Sequence, residues 1–141
     1  MLEEKKFPSS FLADVAVPVP IAGSSVLSYR VQEAFSSILT PGMRVVVPVG
    51  NRKITGIFVR WSDSPAFPVP KKIKEILDIL DEVPVFPENL IHLWQWSTKY
   101  YLTSSGEMLS AMLPGGALRE GEIIVRKIGR ASCRERVYVL V

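Results

Sequence analysis

Two apolar, β-branched runs, Met43–Pro48 and Ile54–Trp61, flank the segment Val49-Gly50-Asn51-Arg52-Lys53, and this pattern calls for a β-hairpin. Glycine and asparagine between branched runs supply turn chemistry, and Arg52 and Lys53 make the exposed tip basic. The other segments read as partners for this hairpin. Phe11–Val19 alternates small and branched residues, with Pro18 and Pro20 suiting an edge strand or a strand end. Ala22-Gly23-Ser24-Ser25 reads as a turn and Val26–Val31 as a second strand. Gln32–Leu39 predicts a short helical turn before the breaker Pro41-Gly42.

After a proline-rich loop from Asp63 to Pro70, the run Ile73–Leu80 fits either a helix or a late strand. The strand is favoured, because isoleucine is branched at Cβ and Pro70 and Pro84 bracket the run. Pro87-Glu88-Asn89 opens a helix through Tyr101, with proline and an acid in its first turn. Ser104 or Ser105 caps a second helix that ends before Pro114-Gly115-Gly116. Five or six short strands followed by two short helices predict an α+β, mainly β domain, a small barrel with a helical appendix.

Charge is unevenly placed on this frame. Arg44–Lys74 holds seven basic residues (Arg44, Arg52, Lys53, Arg60, Lys71, Lys72, Lys74) against Asp63 alone. Glu75–Glu122 holds eight acids against Lys99 and Arg119. Such polarisation lets one face meet a polyanion while the other stays solvated and repels it, so nucleic acid is the first partner to expect. The formal net charge of +3 says less than this distribution.

At 141 residues with 48% hydrophobic content, the chain is long and apolar enough for one folded domain. No apolar run reaches the roughly 18 residues of a membrane span, and the amino terminus lacks a secretory pattern, so a cytoplasmic monomer is expected. His92 has no second ligand or nucleophile near it in the sequence, and Asp78, Asp81 and Glu82 before Pro84 read as an acidic strand exit. No Ser/His/Asp, Cys/His or carboxylate pair has supporting spacing, and no Gly-rich loop ends in Lys-Ser or Lys-Thr. The sequence predicts no enzyme, no metal site and no cofactor for this piece.

Residues Ile128–Val137, IGRASCRERV, have no apolar periodicity and resemble the in-frame translation of a common sequencing-adapter oligonucleotide. On that reading 128–141 is an artefactual tail, Cys133 belongs to it, and the natural chain continues past Lys127.

Three blocks carry a family likeness: ADVAVPVPIAGSSVLSY; PGMRVVVPVGNRKITGIFV; and KKIKEILDILDEVPVF followed by LWQWSTKYYLTSSGEMLSAMLPGG. In the last, a WxxxYY helix leads into a Gly-Glu-x-Leu-x-x-x-Leu-Pro turn. Together, across roughly 13–116, they resemble the amino-terminal region of primosomal protein N′, the PriA family of replication-restart helicases. The resemblance implies an OB-like barrel that binds the 3′ end of the nascent leading strand at a stalled, forked DNA. It also implies an N-terminal extension at 1–12 and, at 117–127, the start of a linker toward a winged-helix domain. A helicase core using ATP and Mg and a Zn region would follow, with other primosome proteins and single-strand-binding protein as partners.

In the family the end pocket uses an aromatic–acid pair before a tyrosine, a glycine closing the VPxG strand, and a late-strand lysine. Carried onto this chain, Gly50 and Lys74 match, whereas Leu27 and Ser28 stand before Tyr29 where the pair would be. Leucine stacks more weakly than an aromatic ring, and serine lacks the charge-assisted strength of a carboxylate. Arg52, Lys53, Lys71 and Lys72 are the expected backbone contacts. Leu90, Leu93, Trp94, Ser97 and Tyr101 fall at helical spacing and are expected mostly to pack the helix on the barrel, while Trp61 is the better aromatic for a base contact, with core packing the favoured reading for it. The rival readings are an SH3-like or OB-like barrel that binds RNA, and a barrel whose basic edge docks an acidic protein.

Overall fold

The computed structural model describes residues 12–20, 25–63, 72–118, 125–127 and 138–140. The expected amino-terminal extension, most of the 22–25 turn, the proline-rich loop, Lys71 and the adapter-like run 128–137 lie outside them, save Leu12, Ser25 and Asp63.

The chain runs β1 (Leu12–Ala16), β2 (Val26–Arg30), α1 (Glu33–Ser36), β3 (Arg44–Val49), β4 (Arg52–Ser62), β5 (Asp78–Ile79), α2 (Glu88–Tyr101) and α3 (Ser105–Met112). A separate ribbon pairs β6 (Val125–Lys127) with β7 (Tyr138–Leu140). The main sheet is antiparallel in the order β2-β1-β4-β3-β5. Its two edges are joined through the segment before β5. Arg30 N–H donates to the Lys74 carbonyl at 2.8 Å, Ile76 N–H to the Arg30 carbonyl at 3.0 Å, and Leu77 N–H to the Val46 carbonyl at 2.9 Å. This closure leaves no long free edge and makes the expected small barrel. The late strand is therefore a split one: its start pairs with β2 and its end with β3.

The hairpin turn is tighter than the sequence suggests. Val49 pairs with Arg52, so only Gly50 and Asn51 turn, and Gly50 alone takes positive φ, at 60°, as a II′ turn requires of its first central residue.

Two apolar cores lie on opposite faces of β1 and β4. Ala13, Val15, Tyr29, Val45, Val47, Phe58 and Ile76 fill the barrel. Ala16, Ile57, Val59, Phe86, Ile91, Trp94 and Leu109 pack the helices against its outside. Between them the β1–β4 register shifts at Asp14/Val15, and a Cβ on Gly56 would lie 2.6 Å from Val15 Cγ1, so only glycine permits that approach. The α3 start is a capping box: Glu107 N–H donates to Ser104 Oγ at 3.2 Å, and Ser104 N–H to Glu107 Oε2 at 3.4 Å. The Trp94 indole donates to the Ser105 carbonyl at 2.9 Å, tying α2 to α3.

The helix α2 departs from the predicted single stripe. Ile91, Trp94 and Ser97 are buried, but Leu93 is 46% and Tyr101 65% exposed. Trp96 and Tyr100, also exposed, stack with ring centroids 4.8 Å apart. Among the described residues no helix is long and apolar enough to cross a membrane.

Candidate nucleic-acid interface

Closing the barrel through Lys74–Ile76 carries a lysine from the end of a long loop to the hairpin turn. Lys74 Nζ donates to the Gly50 carbonyl at 2.8 Å on the exposed surface. Two residues that lie 24 apart in sequence are thus neighbours at one rim of the barrel. Nothing lies within 4 Å of a Cβ built on Gly50, so the space above it is open. The glycine answers first to the turn's positive φ, and it also leaves room for a ligand against the backbone.

The strand that follows the rim places its cations by alternation. Arg52 lies opposite Val49 and Lys53 opposite Pro48, so the two exposed side chains leave opposite faces of the hairpin. Lys72 is exposed near Lys74, and Lys71 lies outside the described residues. Arg30, which the sequence reading passed over, is also exposed, and its backbone bonds to Lys74 and Ile76 place it opposite Glu75, on the face of the sheet away from the Lys74 side chain.

Leu27 and Ser28 point to different faces of β2. Leu27 is half-buried against the barrel core together with Val49. Ser28 is buried, and its Oγ donates to Asp14 Oδ1 at 2.7 Å. Asp14 is 1% exposed and accepts from Arg60 Nε through Oδ2 at 2.9 Å. Tyr29 reaches across the barrel to donate to the Pro48 carbonyl at 3.1 Å, and burial pushes its phenol up to about 12.

Among the described residues, two cations of the basic segment are committed to acids. Arg60 pairs with Asp14, and Arg44 grips Asp81, with Nη2 to Oδ1 at 2.6 Å, while its Nη1 donates to the Ala117 carbonyl at 2.9 Å. Burial pushes the Asp81 carboxyl up, but the hydrogen bonds and charge of Arg44 outweigh this and hold it below the usual carboxylate range. Asp81 is therefore the partner of β3, and Asp78 Oδ1 accepts from Ile79 N–H. The acidic strand exit forms no carboxylate pair, and among the described residues no group of three His, Cys, Asp or Glu could hold a metal ion. His92 is on the surface beside Glu88, at 3.8 Å.

Trp61 follows the favoured reading and packs on the core. It is half-buried on the barrel core, edge-on to Phe58 with centroids 5.0 Å apart. The cleft of about 260 Å³ between Pro18, Ser110, Leu113, Pro114 and Leu118 contains none of the predicted binding residues. What the structure assembles at one rim is Gly50 and Lys74, while Leu27 packs on the barrel core and Arg30 lies opposite Glu75.

Residues 14–114 match the family model described as the 3′DNA-binding domain (3′BD). The chain is 37% identical over 86 residues to the replication restart protein PriA of Bacillus subtilis, covering 61% of this chain and 11% of that one. It is 36% identical over 115 residues to the replication restart protein PriA of Haemophilus influenzae, covering 79% of this chain and 14% of that one. The chain therefore spans a small part of the length of both relatives.

Proposed function

Because the chain belongs to the 3′DNA-binding domain family of PriA, we propose that it holds the free 3′ end of a DNA strand at the rim formed by Gly50 and Lys74. The observation that carries this reading is the 2.8 Å bond from Lys74 Nζ to the Gly50 carbonyl. An ammonium has three donors and Gly50 takes one, leaving two for a phosphate or a terminal hydroxyl. The open space over Gly50 admits a sugar against the backbone, and Leu27 supplies an apolar wall. Ser28 supports the strand through Asp14. Arg52, Lys53, Lys71 and Lys72 draw in the phosphate backbone without reading sequence. The names of the relatives support replication restart as the setting; forked DNA, primosome proteins and single-strand-binding protein as partners, and an ATP-driven helicase as the larger protein, are part of the same proposal.

The test compares fork DNA ending in a recessed 3′ hydroxyl with the same fork ending in a 3′ phosphate, by fluorescence anisotropy. Free-end recognition requires at least tenfold weaker binding of the phosphate form. Equal affinities overturn end recognition and favour a general RNA-binding or DNA-binding barrel. No binding to either fork at low salt overturns the nucleic-acid reading and favours a protein-docking barrel.

A further inference from the structure

The outer face of the β2–β1–β4 sheet carries a row of three polar side chains that the rim does not use. Ser28, Asp14 and Arg60 are direct cross-strand neighbours, with Asp14 pairing to both others in register. A carboxylate 1% exposed in mid-strand is costly unless both oxygens are satisfied. Here Ser28 Oγ takes Oδ1 at 2.7 Å and Arg60 Nε takes Oδ2 at 2.9 Å. The Arg60 side chain remains 69% exposed, and among the described residues no hydrogen bond engages its Nη groups. The guanidinium is thus anchored from below by one nitrogen and presents its outer fork to solvent. Its partner Asp14 is sealed beneath it, so the exposed member of the pair is the guanidinium.

We propose that Arg60 is a phosphate contact for the DNA strand running away from the rim, with Asp14 as its positioning residue and Ser28 completing the anchor. This rests on the rim's being a DNA site. Arg30 links the two places: its backbone joins Lys74 on one side, and it pairs with Leu12, which pairs with Ser62, next but one to Arg60. Strands lie about 4.8 Å apart and residues about 3.4 Å along them, so Arg60, two strands across and two residues along, sits roughly 12 Å from Arg30. At about 3.4 Å of rise per nucleotide a strand covers that gap in roughly three to four nucleotides. Glu75 lies beside Arg30 across the parallel bridge. A planar fork fixed on one edge is suited to bidentate phosphate binding.

The experiment measures the slope of log K against log[salt] for the hydroxyl-ended fork, with wild type, Arg60→Gln, Arg60→Lys and the double variant Asp14→Asn/Arg60→Gln. Arg60→Gln reduces the slope by about 0.7–0.9 and the affinity about 5- to 10-fold at 0.1 M salt. Arg60→Lys keeps most of the slope. The double variant leaves no unpaired buried charge and shows the same slope loss, which separates binding from folding. A lower melting temperature with an unchanged slope makes Arg60 a mere counter-charge to Asp14 and overturns the proposal. If wild type and Lys74→Ala differ in DNA affinity while Arg60→Gln matches wild type, only this inference falls. If wild type does not bind the fork, the rim reading falls with it.

Discussion

Tyr29 and Lys74 hold the same end of β3 by different routes: the phenol donates to the Pro48 carbonyl at 3.1 Å and the ammonium to the Gly50 carbonyl at 2.8 Å. One bond comes from a core side chain and the other lies on the surface. The rim is therefore braced by a residue that the fold requires and finished by one that it does not.

Lys74→Ala removes the surface bond only. It is expected to weaken fork binding about 3- to 10-fold and lower the salt slope by about 0.7–0.9. Unfolding by urea should shift by less than about 0.5 kcal/mol. Anisotropy titrations and urea curves on the same preparation check both; unchanged affinity at low salt removes Lys74 from the site.

Gly50→Ala places a Cβ in the left-handed region, at φ 60°. A cost of about 1–2 kcal/mol in urea is expected from backbone strain alone, since no atom lies within 4 Å of that Cβ. Fork affinity should fall further than stability explains if a sugar occupies that space.

The raised phenol of Tyr29 has an alkaline consequence. Its pKa of about 12 exceeds the ordinary value of 10, so the contribution is complete below pH 10 and is lost as the pH rises toward 12. By pH 11, halfway through that window, the wild type should lose roughly 1 kcal/mol that Tyr29→Phe does not. The variant should begin about 1 kcal/mol less stable, for want of the bond to Pro48. Urea midpoints at pH 9, 10 and 11 of both proteins decide it.

Arg44→Met breaks the grip on Asp81 and frees the Ala117 carbonyl. With Asp81 only 7% exposed, about 2–4 kcal/mol should be lost at neutral pH. The Asp81 carboxyl is held below its ordinary range, so its contribution is present above roughly pH 4 and disappears as the pH falls through the depressed value. The gap between wild type and Arg44→Met should therefore narrow in acid.

Trp94 and Trp96 separate core from surface on one helix. Trp94→Ala should cost about 3–5 kcal/mol, since the ring is 3% exposed and its indole holds Ser105. Trp96→Ala, at 56% exposure, should change stability by under about 1 kcal/mol. Equal losses would place Trp96 in the core.

Local chemistry made much of this legible in the sequence. The hairpin, the capped helix α3, the proline-opened α2 and the alternating β1 are set by neighbouring residues. Turn dihedrals, capping bonds and the two-residue strand period act over a few positions. The motif that pairs Gly50 with Lys74 was legible as a family likeness, and their 2.8 Å contact follows from a barrel closure that no local rule encodes.

What only the tertiary structure decided is which charges are free and which aromatics are covered. Composition counts Arg44, Arg60 and Lys74 alike as cations, but Arg44 is spent on Asp81, Arg60 leans on a buried carboxylate, and Lys74 stands at the rim. Helical spacing groups Trp94 with Tyr101, yet the layer of helix against sheet is narrower than the stripe and leaves Tyr101 in water. Partners and burial depend on segments distant in sequence, and the free energy of a charge or a ring depends on both.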